Sequence, residues 1–281
     1  MMRSRISSTL ILFAIVAWML NTMGLWGGIL LLILCSTLTQ WELYQLMEKM
    51  GWKPHKKSAV ICGIMILLKS CFVRDGIIDL NYALSAFVFM ITIFAIVTVM
   101  GKPEDLKNIF LPTIFGILYV PVMFCIPLLF INKLSLITGS HLPLTLVLWI
   151  ITVAKFSDIG GLVIGSRWGR HKLAPLFSPA KTYEGLLGSL LFSIAIAYIF
   201  AFCCAQHWPS SFSKIKIGIV SAFIAVIALI SDLIESGLKR LAGAKDSGHS
   251  IPGIGGMFDL MDSLILSLPM GVIIIHEFVL S

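Results

Sequence analysis

The sequence predicts an all-α, polytopic integral membrane protein with about nine transmembrane helices and its N-terminus inside. Three observations lead there. First, 58% of the 281 residues are hydrophobic and only 12% are charged, where soluble domains carry about 25% charged residues; the mean hydropathy is +0.98. Second, apolar runs of about 18 residues or more recur along the chain, the length a helix needs to cross lipid. The alternating pattern of membrane barrel strands is missing, so helices must satisfy the backbone. Third, the basic residues are unevenly divided between successive loops.

The spans expected from the apolar runs are 7–21, 24–42, 58–73, 79–100, 109–131, 142–165, 184–205, 216–236 and 262–280. The first two are also compatible with one kinked hairpin about Asn21–Gly24. With the N-terminus inside, fifteen Lys and Arg fall on inner segments and five on outer ones, with Lys155 inside a span. That asymmetry obeys the positive-inside rule. Arg3 and Arg5 before the first apolar run resemble a signal peptide, but no small-residue cleavage site precedes the next span, so the segment reads as a retained helix. The six cysteines lie in or beside apolar runs without a CxxC pair and read as small hydrophobes. The net charge of +7 fits cytoplasmic loops facing anionic headgroups and substrates, with no nucleic acid among the partners.

The expected organisation is an N-terminal set of spans over 1–141 and a catalytic region over 142–281. Chemistry is sparse in the first part. Trp41-Glu42-Leu43-Tyr44 reads as an aromatic interfacial anchor with one polar residue, and Pro112 and Pro121 are expected to kink the fifth span. The second part differs. Lys155 and Asp158, three apart, share a helix face. Gly160, Gly161, Gly165 and Gly169 permit close approach of backbone or ligand. Arg167, Arg170, His171 and Lys172 form a cationic cluster that is also an ordinary positive flank. In Ser178-Pro179-Ala180-Lys181-Thr182-Tyr183-Glu184-Gly185, Ser178 or Thr182 caps the next helix, and its N-terminus beside Lys181 suits an anion.

The most charged stretch is 231–263, with five acidic and three basic residues. Asp232, Glu235, Ser236 and Lys239 recur at helical spacing on one face, after purely apolar turns. Asp259 and Asp262 repeat the three-residue spacing at the start of the last span. Four carboxylates, Asp232, Asp246, Asp259 and Asp262, are expected to converge on a hard cation; oxygen ligands suit Mg²⁺ held together with substrate phosphates. Lys239, Arg240 and Lys245 are placed to hold phosphates, and Gly255 and Gly256 to let backbone come close. Ionisable groups are expensive in a membrane and mark function. Two classes remain at this point: an enzyme acting on a phosphorylated lipid or nucleotide, and a cation transporter. The acids sit at inner helix ends beside Lys and Arg, which favours phosphate chemistry.

Ser236-x-x-Lys239-Arg240, then Lys245-Asp246, then Pro252-x-x-Gly255-Gly256-x-x-Asp259-x-x-Asp262 resembles the signature of phosphatidate cytidylyltransferases, the CDP-diacylglycerol synthases. Asp232-Leu-Ile-Glu235 and the upstream Ser178–Gly185 stretch with Asp158 are similar to the same family. The likeness covers residues 150–270; the first half matches only as hydrophobic spans. The resemblance implies a multi-helix membrane enzyme that forms CDP-diacylglycerol and pyrophosphate from CTP and phosphatidic acid with Mg²⁺; the family is often dimeric, so a homodimer is among the expected partners, while the sequence leaves the oligomeric state open. A second, monovalent cation belongs to the same expectation. It gives metal and catalytic roles to Asp232, Asp246 and Asp259, and a supporting ligand role to Asp262. Lys239 joins the catalytic group; Ser236, Arg240, Lys245, Gly255 and Gly256 join the substrate contacts. Ser178, Lys181 and Thr182 are given to the nucleotide or the lipid phosphate. The implied location is the bacterial cytoplasmic (inner) membrane, among membrane lipids, with the site facing the cytoplasm. Two residues depart from the family pattern: Ile254 stands where His is usual, and Leu260 where Arg or Lys is usual. A CTP-dependent lipid-alcohol kinase is the alternative enzyme, and a polytopic cation transporter the alternative of another class.

Overall fold

The computed structural model describes residues 2–71, 105–138, 142–248, 250–251, 253 and 255–280. The expected span 79–100, His249 and Ile254 lie outside them. The described chain is almost wholly helical. It divides into two compact units, one of residues 1–133 with 241–261, the other of residues 134–240 with 262–281.

In the first unit, α1 (Met2–Lys49) is broken at Gly24, whose φ of 54° leaves the helical region. A Cβ added to Gly27 would lie 2.3 Å from the Met19 carbonyl oxygen. Eight residues of straight helix rise about 12 Å, so the chain doubles back at Gly24. The kinked hairpin is therefore the form taken by the first two apolar runs. α2 (Lys56–Cys71) follows. α3 (Leu111–Ile117) and α4 (Met123–Thr138) form one apolar rod interrupted by π-helical turns at Leu106–Phe110 and Leu118–Val122. Pro121 sits inside the second of these, where its missing N–H relaxes the helical ladder. Polar side chains tie these helices together. Tyr44 donates to the Thr113 carbonyl at 2.7 Å, and Gln40 donates to the Ala59 carbonyl at 3.1 Å. The short α8 (Met257–Met261) belongs to this unit as well.

The second unit is built on α5 (Leu142–Trp168) and α6 (Tyr183–Cys203), joined by an antiparallel hairpin of β1 (Lys172–Ala174) and β2 (Ser178–Thr182). Thr182 closes the hairpin and caps α6, accepting from the Gly185 N–H at 3.1 Å, with Glu184 in the first turn. Among the described residues, the hairpin and one isolated bridge, Ile251 with Gly255, are the β-structure in an otherwise helical chain. Ser178 is accordingly a strand residue, and Thr182 alone is the cap. α5 and α6 meet along a seam of small residues. A Cβ on Gly160 would lie 2.5 Å from the Gly188 carbonyl oxygen, and one on Gly188 the same distance from that of Gly160. Ser189 donates to the Ser157 carbonyl at 2.9 Å across the seam. Between helices in lipid, such contact replaces the hydrophobic drive that water would supply. α7 (Lys214–Leu241) and α9 (Leu264–Ile275) complete the unit.

Six described helices are long and apolar enough to cross a membrane: Leu25–Lys49, Leu106–Ser135, Leu142–Trp168, Tyr183–Cys203, Lys214–Leu241 and Met257–Val279. They correspond to the second, fifth, sixth, seventh, eighth and ninth expected spans. The first survives as a shorter apolar arm, Ala14–Met23. The third is seen as α2, described over Lys56–Cys71.

Candidate active site

The polar face of α7 is positioned by its apolar run. The residues before Ser231 are almost uniformly hydrophobic, so the helix extends to Leu241 and carries Asp232, Glu235, Ser236 and Lys239 along one stripe. α9 is docked beside it through Ser231, whose hydroxyl donates to the Asp262 carbonyl and accepts from the Leu266 N–H. The result is a three-carboxylate cluster. Oxygens of Asp232, Glu235 and Asp262 all lie within 4.8 Å of one another, with Glu235 fully buried.

Lysines from three elements meet this cluster. Lys155 of α5 reaches Asp262 at 3.3 Å, Asp158 at 3.8 Å and the Ser263 hydroxyl at 2.9 Å. Lys181 of β2 makes a close ion pair with Asp232. Lys239 pairs with Glu235 one turn away, at 2.8 Å. Ser236 donates to Asp232 at 3.4 Å. The hairpin that presents Lys181 is clamped at its base by Glu184, which accepts from the Arg170 N–H at 3.1 Å and meets the His171 ring at 2.6 Å. A cavity of about 290 Å³ opens over this face, bordered by Asp158, Ser178, Lys181, Thr182 and Asp232. Its volume is at the low end for ligand sites, enough for a phosphate-bearing head group.

Three carboxylates at this spacing repel strongly in a medium of low dielectric. The lysines offset that charge, and a hard cation would offset it further. All the donors are carboxylate oxygens, the set that Mg²⁺ accepts. Ion and anion subsites would then alternate: acids for a metal, Lys155, Lys181 and Lys239 for phosphate oxygens. Asp232 and Asp262, both expected as ligands, are brought together. Glu235, expected only as part of the polar face, joins them.

The remaining expected residues behave differently. In the first unit, the Asp259 carboxylate is taken up by its own loop. One oxygen accepts from the Ser247 N–H at 3.0 Å, the Ser247 hydroxyl at 2.9 Å and the Gly256 N–H at 2.8 Å. Gly256 is a glycine because a Cβ there would sit 2.2 Å from both Glu42 and Ser247 oxygens. Gly255 is one because its φ is 128°. Close backbone approach is thus met by protein side chains. Arg240, Lys245 and Asp246 are exposed. Leu260 is half-buried in α8.

The whole chain, residues 3–278, matches the cytidylyltransferase family. The chain belongs to that family. Among its relatives, a phosphatidate cytidylyltransferase of Rickettsia felis is 32% identical over 203 residues, 70% of this chain and 88% of that protein. One from Bacillus subtilis (strain 168) is 30% identical over 200 residues, 71% of this chain and 69% of that protein. One from Haemophilus influenzae is 34% identical over 140 residues, which is 49% of each chain. Some other matches are also partial: for a Staphylococcus haemolyticus relative, the alignment spans 46% of that protein.

Two residues of this cytidylyltransferase-family chain carry more structure than their motifs suggest. Lys155 bridges two acids and a serine, where the spacing suggested only a pair with Asp158. Glu42, set among apolar residues, is 2% exposed and bonded to a loop about two hundred residues away in sequence. The available signal was its acidity inside an apolar span.

Proposed function

We propose that the chain is a phosphatidate cytidylyltransferase, transferring CMP from CTP to phosphatidic acid to give CDP-diacylglycerol and pyrophosphate. The observation that carries this is the Asp232–Glu235–Asp262 cluster ringed by Lys155, Lys181 and Lys239. Similarity to proteins of that name supports it. A phosphatidate oxygen attacks the α-phosphorus of CTP, the bond to the β-phosphate bridging oxygen breaks, and pyrophosphate leaves with the electron pair. The nucleophile is already anionic, so little general-base work is required. Lys181 and Lys155 orient and neutralise the phosphates, and Lys239 holds Glu235 in the cluster. Fixed cations of this kind act where charge develops. Asp232, Glu235 and Asp262 would hold Mg²⁺, which when bound offsets charge on the departing pyrophosphate. Asp246, Asp259, Arg240 and Lys245 are assigned metal, catalytic and phosphate roles by the motif they complete.

The proposed setting is a bacterial inner membrane, with nine spans, the N-terminus inside and the site opening to the cytoplasm, as the loop charges favour. Purified protein given labelled CTP, phosphatidic acid and Mg²⁺ should form CDP-diacylglycerol and release pyrophosphate. Release of CDP would point instead to a lipid-alcohol kinase, and no lipid product at all would overturn the proposal. Asp232→Asn should abolish turnover while leaving the protein in the membrane.

A further inference from the structure

The loop that follows α7 is wrapped around two carboxylates, and only one of them belongs to the signature. Glu42 lies on α1 just ahead of four fully buried residues, Leu43, Tyr44, Leu46 and Met47. Its carboxylate accepts from the Ser250 hydroxyl, from the Ser247 hydroxyl at 3.3 Å and from the Phe258 N–H at 2.9 Å. Phe258 is in the first turn of α8, where backbone N–H groups have no partner within the helix. Gly248 and Gly256 close over the same side chain: a Cβ on either would fall within 2.8 Å of it. Ser247 joins the two acids, since it also bonds Asp259 at 2.9 Å. A backbone bridge between Ile251 and Gly255 closes the loop's tip.

A carboxylate taken out of water is costly even when hydrogen-bonded, and apolar replacements are often no less stable. Holding α1 together does not call for one at residue 42. What Glu42 does provide is two bonds to the loop and one to the first turn of α8, at both ends of the Gly-rich turn.

We propose that Glu42 is a positioning residue for nucleotidyl transfer, fixing the shape of the loop that bears Lys245 and Asp246 and its junction with α8, which bears Asp259. The link to the reaction rests on the phosphatidate cytidylyltransferase reading; the link to the loop rests on the bonds alone. Glu42 acts through the loop and touches no substrate.

Glu42→Ala, Glu42→Gln and Ser250→Ala are compared in the full-length protein. The control is Glu48→Gln, which loses only an exposed pair with Lys56. Glu42→Ala should lower kcat/KM for CTP at least about tenfold, since small misplacements of site residues have large effects on rate. Glu42→Gln keeps one acceptor oxygen and should recover part of the loss. Ser250→Ala, a change on an exposed residue, should cause a fall of about threefold and serves if Glu42→Ala does not reach the membrane. Hydrogen exchange supplies the readout that general stability would not give: amides of residues 247–258 should exchange faster while 142–168 and 183–203 stay at wild-type rates. Uniformly faster exchange, or unchanged exchange and kinetics, would overturn the proposal. If the wild type makes no CDP-diacylglycerol, the functional reading fails, and the exchange pattern still decides whether Glu42 holds the loop.

Discussion

Lys181 is the side chain on which the cavity depends most directly. It comes from a strand, pairs with Asp232 on a helix and borders the cavity between them. Lys181→Met should keep most of the apolar stem and remove the charge. The expected outcome is a fall in kcat of about a hundredfold or more, as when a single transition-state donor is removed, measured by steady-state turnover. Lys155 makes a different case. It is half-buried and contacts Asp158, Asp262 and Ser263 at once. Lys155→Met should leave two acids facing each other without their shared cation, which costs about 3–5 kcal/mol for a buried pair and less at this partial exposure. Thermal unfolding in detergent should show the loss, and added Mg²⁺ should restore part of it if the cluster binds metal. Glu42 shows how far sequence spacing reaches: nothing near residue 42 indicates partners at 247, 250 and 258, because that contact is made by folding alone.

At the scale of elements, the α5–α6 seam and the hairpin between them decide where Lys181 stands. Gly160 and Gly188 each face the other's carbonyl oxygen with no room for a methyl group. Gly160→Ala or Gly188→Ala should force the helices apart and destabilise the protein by about 1–3 kcal/mol, as overpacking does elsewhere; the unfolding midpoint in detergent is the measure. Thr182→Ala should remove the α6 cap at a cost of about 1 kcal/mol, and also loosen the end of β2. The four glycines of 160–169 were legible as sites of close approach. That Gly160 meets helix backbone rather than ligand was not, since a glycine permits both equally. The hairpin was illegible for a related reason. Its strands have three and five residues, too few for an alternating pattern, and Pro175 and Pro179 mark a loop as readily as a turn.

For the whole molecule, the proposed inside location of the N-terminus and of the site carries its own test. In a variant lacking the six native cysteines, a cysteine at exposed Arg170 should be labelled by a membrane-impermeant thiol reagent only from the cytoplasmic side. One at exposed Lys214 should be labelled only from the other side. The opposite pattern would reverse the orientation.

Apolar run length alone determined the membrane class and the position of six long helices, because crossing lipid sets a minimum length that composition reveals directly. Charge scarcity likewise picked out 231–263, and helical spacing placed Asp232, Glu235, Ser236 and Lys239 on one face. Spacing along a chain says which residues share an element; it does not say which elements meet. Tertiary structure decided that Asp262 returns to Asp232 and Glu235, that Lys155 and Lys181 neutralise them, and that Asp259 is bonded within a loop also held by Glu42. Those contacts depend on where whole helices pack, and buried charge accepts only the arrangement that satisfies it.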